Sequence, residues 1–578
     1  MADRAFAGWK VPGLVYGLIH DGELVHVRGL GTLRVGEDAT PDARSVFRIA
    51  SMTKSFTAAA VLSLRDDGVL RLDDPIERYV PELEELRYPT TDSPRITIRH
   101  LLTMTAGFPT DDPWGDRQQG LDLGDFSALL RGGLSFAWAP GTRFEYSNTG
   151  YGILGRLITN VAGREYREVV RERLLTPLGM DETGYLEEEV APERLARGYV
   201  WRDGAFVEEP MDAYGALAAM GGIFTTIEDL SRWVTGFLDA FPPRDDPDDR
   251  HPLSRASRRE MQQPMVPEVV RLSHTSADAM PEVENLHYGF GLFQVDDVRF
   301  GRTIGHSGGY PGFGSHMRWH PASGLGMIAF ANHRYGPASP LARDMLNELL
   351  RADAAPLRRT RPNAATLAAR ETVERLIEDW DDELAAATFA MNVELDEPLE
   401  HRKAAIAKAK QRHGRLRRDE ATPAESQTSY HLVWWLNGDQ GRVKVELLLS
   451  PELPPRVQTF AITSVPEPPE LLRRAAERIV AALDAPASGP VTIDWPKDVV
   501  VSSATDIGPV VRSMRATEAR FAPLTLGPVV DGDGEKKATF RLDGPRGRVD
   551  LVMTLDVDAG CVGSIALIPV KLAPPVID

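Results

Sequence analysis

The feature that most constrains this chain is a change of pattern at residues 354–362, after which one module is written twice. Residues 365–465 and 470–572 align as two copies of a unit, the mark of a duplicated supersecondary element. Glu374-Arg375-Leu376-Ile377 falls opposite Glu477-Arg478-Ile479-Val480, and Phe389 and Val393 fall opposite Trp495 and Val499. The β-rich runs Tyr430–Leu436 and Gln440–Leu449 match Ala538–Leu542 and Gly547–Leu555, with Gly441-Arg442-Val443 against Gly547-Arg548-Val549. Val457–Val465 then matches Val562–Val570. Each copy reads helix, short β, helix, then three antiparallel strands, a small α+β unit with one sheet face covered by helix. At 578 residues the chain is too long for one core. The expected division is a domain over 1–355, a first module over 363–466 and a second over 467–578. Neither copy shows a metal cluster, a Gly-rich phosphate loop or a nucleophile elbow. Both are therefore expected to be accessory, docking on the first domain or forming a homodimer contact and restricting access to it. In the adjacent pair Trp434-Trp435, alternation along a strand puts one ring in the core and leaves the other for a partner domain.

Composition narrows the class of partner. Hydrophobic content of 42% with 26% charged residues describes a globular chain with large cores, and the net charge of −18 argues against nucleic acid or an anionic membrane surface. The lone Cys561 allows no intrachain disulfide. Residues 1–30 carry Asp3, Lys10, Asp21 and Glu23 and hold no signal-peptide-like apolar run; no later stretch approaches the ~20 apolar residues of a membrane helix. A cytoplasmic protein is the expectation, although a trimmed form of an exported protein would have the same composition.

Within the first 355 residues, Leu14–His20 and Glu23–Leu30 flank Asp21-Gly22, a hairpin signal. A helical middle follows, with segments near 97–104, 151–162, 167–175 and 226–241, the last opened by the capping box Thr226-Ile227-Glu228-Asp229. Strands are expected at 288–295, 299–306, 315–320 and 326–332, and a closing helix at 340–350. Two strands, a helical insert, several antiparallel strands and a helix fit an α/β (α+β) sheet closed by both ends of this region.

Three triplets in this region carry chemistry. Phe47–Thr57 reads as a strand end turning into a helix, with Ser51 at its mouth and Lys54 one turn in. The free N–H groups and positive dipole end favour a developing oxyanion there, and positions i and i+3 share a face, so the Lys54 amine can reach the Ser51 hydroxyl. Alone, this pattern equally describes an N-cap serine followed by a solvated lysine. Tyr146-Ser147-Asn148 is the one Y-x-N of the chain and lies on an expected loop; His306-Ser307-Gly308-Gly309 follows an expected strand. The conjunction, in order and in context, is what points to a nucleophile with a built-in base.

The set resembles the serine β-lactamase-like family of class C β-lactamases, penicillin-binding D-Ala-D-Ala peptidases, D-aminopeptidases and related esterases. Its S-x-x-K, Y-x-N and K-T-G or H-x-G motifs match Ser51-Lys54, Tyr146-Asn148 and His306-Gly308, over residues 11–352. Supporting phrases include Leu101–Pro109, Pro140–Tyr146, Leu175–Met180 and Met220–Thr226. The resemblance implies an antiparallel sheet flanked by helices plus a helical region, with the site in the cleft between them. It implies Ser51 as the nucleophile of an acyl-enzyme, Lys54 and Tyr146 as a coupled proton-handling pair, and no metal or cofactor. It further implies an oxyanion hole of the Ser51 and Gly309 backbone N–H groups, with Asn148, His306, Ser307 and Gly308 lining the substrate site.

His306 stands where most class C β-lactamases have lysine. A histidine carries charge less reliably at neutral pH, which tilts the expected substrate from carboxylate-terminal peptides toward D-aminopeptidase, amidase or esterase substrates. The small-molecule or peptidic substrate is therefore expected to be an ester or amide. β-Lactamase or D-Ala-D-Ala carboxypeptidase activity, acyl transfer at the same site, and a penicillin-binding sensor or scaffold without turnover are the alternatives.

Overall fold

The computed structural model describes residues 2–244, 246–248, 251–273, 282–297, 300–352, 354–355, 361–483, 523–544, 547–558 and 560–570. The described residues fall into two compact units, one holding those up to 355 and the other those from 361 onward.

The first unit is built on an eight-stranded antiparallel sheet: β1 (Gly13–His20), β2 (Glu23–Gly31), β3 (Val266–Ser273), β4 (Glu282–Tyr288), β5 (Phe293–Asp297), β6 (Gly301–Tyr310), β7 (Phe313–His320) and β8 (Leu325–Ala331). Its order is β2-β1-β8-β7-β6-β5-β4-β3, so the initial hairpin and the last strand close it together. The β1–β2 turn places Asp21 at φ +47° and Gly22 at φ +85°, the left-handed pair a two-residue hairpin requires. Alternation sends Val15, Ile19, Met317, Trp319, Ile328 and Phe330 into the main core, while Leu14, Tyr16, Met327, Ala329 and Ala331 face Leu341, Ala342 and Leu346 of the helix Ala338–Arg351.

On the main-core face lies the helix Thr53–Asp66, buried on all sides from Thr53 to Leu64. Ala58, Ala59 and Ala60 keep it thin enough for neighbours to approach from several directions. Phe56 stacks on Trp233, ring centroids 4.0 Å apart, and the Trp233 indole N–H donates to Ser55 Oγ at 3.1 Å. Burying such aromatic and aliphatic side chains contributes roughly 1.5–3 kcal/mol each. This helix is consequently a fixed platform for anything at its N-terminus.

Several expected boundaries move. Residues 288–295 are two elements, β4 and β5, broken at 289–292, and β6 runs through the third triplet to Tyr310 instead of ending at His306. Between the helix ending at Asp239 and β5, the helix Arg255–Met261 and strands β3 and β4 form, beyond the elements expected there. No helix among the described residues is long and apolar enough to cross a membrane.

The second unit contains two four-stranded antiparallel sheets, with strands Arg417–Arg418, His431–Gly438, Gly441–Leu449 and Val457–Pro466, then Thr525–Gly532, Lys537–Gly544, Gly547–Asp556 and Cys561–Pro569. Each has one strand more than expected. Their central hairpins turn at the paired glycines Gly438/Gly441 and Gly544/Gly547, and register slips just before Leu449 and Leu555, the equivalent position past each second glycine. The correspondence of Phe389 and Val393 with Trp495 and Val499 lies, for the second pair, outside the described residues. Both tryptophans of Trp434-Trp435 are buried: Trp434 in the first sheet's core, Trp435 in the core shared with the second, under the Arg442 guanidinium at 4.4 Å.

Candidate active site

The nucleophile turn is set by backbone clamps. Ile49 donates its N–H to the Ile223 carbonyl at 3.0 Å, and its own carbonyl accepts from Ser315 Oγ of β7 at 2.7 Å. Ala50 then takes φ +47°, a left-handed conformation costly for a residue with a Cβ, and Ala50–Met52 form a 3₁₀ turn leading into the helix. Ser51, partly exposed at this bend, is presented to the cleft between β6 and the helical insert.

Lys54 is completely buried, and its Nζ donates to Ser51 Oγ at 3.0 Å, Asn148 Oδ1 at 2.7 Å and the Met220 carbonyl at 2.9 Å. These use all three N–H bonds of the ammonium. Burial pulls its pKa down from 10.5 to about 8, against the charges of Asp112, Asp116 and Asp111, which hold it up. About one Lys54 in ten is then neutral at pH 7, against fewer than ~1 in 1,000 for an unperturbed lysine.

Tyr146 lies beside this pair: Lys54 Nζ sits 5.0 Å from its ring centroid, and the nearby Ser51 hydroxyl favours the ionised phenol. Burial and the Asp112 charge push the phenol well above its ordinary range, so it is protonated at rest. Its ring stacks on Phe293 at 6.5 Å and lies 6.4 Å from His306.

Asn148 belongs to a helix, Asn148–Ala162, and not to a loop. Ser147 is its N-cap, and Asp111 reaches in to accept from the N–H groups of Asn148 (2.7 Å) and Thr149 (2.8 Å) and from Thr149 Oγ1 (2.6 Å). A carboxylate at a helix start satisfies orphan donors and complements the dipole. The Asn148 side chain is engaged at both ends: Oδ1 takes Lys54, and Nδ2 donates to Asp112 Oδ1 at 2.7 Å.

His306 is buried among Tyr146, Tyr288 and Phe293, with Nδ1 at 2.6 Å from the Ser307 carbonyl and Nε2 at 3.4 Å from the Tyr288 hydroxyl. Burial, and then the Lys54 charge, depress it to about 3, so the imidazole is neutral near pH 7 and offers no cation to a carboxylate. A cationic His306 was the remaining route by which this position could mimic lysine; its surroundings close it. Ser307 is exposed and Gly308 buried. A Cβ on Gly308 would lie 2.1 Å from the Ile49 carbonyl oxygen and 2.2 Å from Ser315 Oγ, so the absence of a side chain is what lets β6 touch the nucleophile turn. β5 pairs with β6 only as far as Gly305, and among the described residues no strand pairs with His306–Tyr310 on that side.

All the candidate residues thus converge on one cleft: Ser51, Lys54, Tyr146, Asn148, and the strand from His306 to Gly309. The reading of residue patterns missed Asp111, Asp112, Asp116 and Tyr335. The trace they leave in the sequence is the Asp111-Asp112 doublet. Among the described residues no group of three or more histidine, cysteine or acidic side chains is arranged to hold a metal.

A model of the Beta-lactamase family matches residues 1–352. The chain belongs to the beta-lactamase family. Within it, the chain is 31% identical over 242 residues to the D-alanyl-D-alanine-carboxypeptidase/endopeptidase AmpH of Escherichia coli (strain K12), covering 41% of this chain and 60% of that one. It is 27% identical over 307 residues to Penicillin-binding protein 4* of Bacillus subtilis (strain 168), covering 51% and 62%. The chain therefore spans about 60% of the length of these relatives. The solved octameric penicillin-binding protein homologue from Pyrococcus abyssi superposes with a TM-score of 0.53 at 19% identity, over 99% of this chain and 97% of that one. At that identity the likeness is one of fold, and it extends past the family region into the C-terminal sheets.

Proposed function

We propose that this protein is a serine hydrolase that cleaves ester or amide bonds through an acyl-enzyme on Ser51. The observation that carries this is the buried Lys54 ammonium at 3.0 Å from Ser51 Oγ, with the Tyr146 ring centroid 5.0 Å from the same ammonium. Ser51 Oγ attacks the carbonyl carbon while its proton passes to the Lys54–Tyr146 pair; the tetrahedral oxyanion is held by the Ser51 and Gly309 N–H groups. On collapse the leaving alcohol or amine departs with a proton from the pair. Water then repeats the sequence on the acyl group and releases the acid. The two proton carriers act as one coupled unit, so neither alone is named the base.

The site favours acyl donors without a terminal carboxylate. His306 is uncharged, Lys54 has no N–H to spare, and Asp112 and Asp116 place negative charge beside the cleft. This supports a D-aminopeptidase, amidase or esterase. The naming of AmpH as a carboxypeptidase/endopeptidase supports the second reading, in which a peptide carboxylate is accepted through neutral donors such as the Ser307 hydroxyl. Intact-mass analysis after a fluorophosphonate probe is the test of the chemistry: one adduct per chain, absent in Ser51→Ala, is expected. An equal adduct on the variant would sink the proposal. Comparing a D-aminoacyl p-nitroanilide with a D-Ala-D-Ala peptide then separates the two readings.

A further inference from the structure

Tyr335 lies where the sheet side of the cleft meets the helical side. It follows β8, yet its hydroxyl donates to Asp116 Oδ2 at 2.6 Å, on the short 3₁₀ turn Asp116–Gln118 of the helical insert. Its ring covers Gly309: a Cβ built on that glycine would stand 2.3 Å from Tyr335 Cδ1. The side chain occupies this place at a conformational cost. Tyr335 has φ +46°, which for a bulky residue is unfavourable and is kept only where surroundings impose it.

The surroundings do impose it. The Tyr335 N–H donates to the Phe313 carbonyl at 3.1 Å, and Arg334 just before it is ion-paired with Glu209. Asp116 is held in turn: its backbone carbonyl accepts from the Tyr310 hydroxyl at 2.8 Å, and that hydroxyl also donates to Asp212 Oδ2. Asp116 is buried, and burial raises its carboxyl to about 6. Yet Tyr335 itself keeps 52% of its surface exposed, which argues against a purely core-filling role. A strained, half-exposed ring tethered across a cleft beside an oxyanion donor has the attributes of a wall for substrate.

We propose that Tyr335, tethered by Asp116, is a specificity-determining residue that limits the size of the group that can sit against Gly309 next to the reacting carbonyl. The proposal rests on the acyl-enzyme reading above, with Gly309 as an oxyanion donor. It names the substrate class more narrowly: compact acyl donors in which the substituent on this side of the carbonyl is small. One methylene in or out of an apolar contact changes kcat/KM by about 10- to 200-fold, so the wall is measurable as a ratio.

The test uses the full chain and two ester series: p-nitrophenyl acetate to octanoate, and aryl acetates from phenyl to 4-methylumbelliferyl. Tyr335→Gly is the informative variant, because glycine is at ease at φ +46° and removes the ring without adding strain. It is expected to raise kcat/KM for the largest member relative to the smallest by about tenfold in one series. Tyr335→Phe and Asp116→Asn, which keep the ring but loosen or cut its tether, should shift the same ratio in the same direction by a smaller factor. The rate of fluorophosphonate labelling of Ser51 is the control in Tyr335→Gly and Tyr335→Phe; Asp116→Asn also removes a charge that acts on Lys54 and is read on the ratio alone. Ratios within about twofold of wild type in both series, with Ser51 labelled normally, would overturn the wall. A shift in Tyr335→Gly with Tyr335→Phe and Asp116→Asn unchanged would overturn the tether. Absence of labelling in the unmodified protein would instead overturn the acyl-enzyme reading on which both depend.

Discussion

On the proposed acyl-enzyme reading, replacing Asp112 by asparagine should speed the reaction of Ser51 at neutral pH. Asp112 is the strongest of the carboxylates that hold Lys54 in its charged form, and its charge is also the leading electrostatic influence pushing Tyr146 up. It reaches Lys54 through Asn148, by two hydrogen bonds of 2.7 Å each. That places the charges roughly 6 Å apart, and Coulomb's law with an effective dielectric of 20–80 gives about 0.7–2.8 kcal/mol. At 1.36 kcal/mol per pH unit, losing the carboxylate lowers the lysine by about half to two units. The sign is the same for both partners: without the nearby anion, the Lys54 ammonium and the neutral phenol both give up protons more easily. The alkaline-rising limb of kcat/KM, expected near pH 8 in the unmodified protein, should therefore move toward pH 7. For a shift of about one unit, the reactive fraction at pH 7 rises from about one tenth to about one half, a fivefold gain, with the plateau little changed. Asparagine keeps the oxygen that Asn148 donates to, so orientation is preserved while charge is removed. The assay is kcat/KM for an activated ester from pH 5.5 to 9.5. A limb that stays in place, or moves to higher pH, would refute the electrostatic role assigned to Asp112; a lower plateau with a fixed limb would show it acting only on geometry.

Gly308→Ala should abolish Ser51 labelling, since its Cβ would meet the Ile49 carbonyl at 2.1 Å and drive the nucleophile turn off the sheet. Gly132→Ala, with nothing within 4 Å of the new carbon, should label as wild type. Asp111→Ala leaves the Asn148 and Thr149 N–H groups without their acceptor and should cost about 1–3 kcal/mol, read as a fall in the thermal midpoint of the first unit, together with slower labelling because Asn148 is no longer fixed.

The initial hairpin was legible because Asp-Gly names its own turn, and the sheet's closure by both ends of the region was legible from the order of strands and helices. Ser51, Lys54, Tyr146 and His306 could be found because each sits in a local pattern with a chemical reason for its spacing. What surrounds them was not. Asp112 acts on Lys54 through a residue 36 positions away, and Asp116 meets a tyrosine more than two hundred positions later. Such contacts arise only when the insert folds onto the sheet, and no periodicity encodes them. The helix at Asn148 begins earlier than its local pattern indicates because Asp111, from another segment, adds to the Ser147 cap by accepting from the Asn148 and Thr149 N–H groups. His306 illustrates the limit from the other side: its identity was readable, but its charge depends on burial among three aromatic rings.

Among the described residues, the strand that carries His306 to Tyr310 has a partner along one side only over that stretch. A bare row of backbone donors and acceptors is elsewhere an invitation to aggregate, because any extended chain can zip onto it. Here Gly308 packs against the Ile49 carbonyl and the Tyr335 ring covers Gly309, so this stretch offers an approaching chain less open backbone than a free edge would. The same contacts that fix this stretch beside Ser51 thus shield it from neighbouring chains. Opening the cleft by mutation therefore carries a hazard distinct from altered specificity: variants that widen it should be watched for concentration-dependent self-association as closely as for gain of activity.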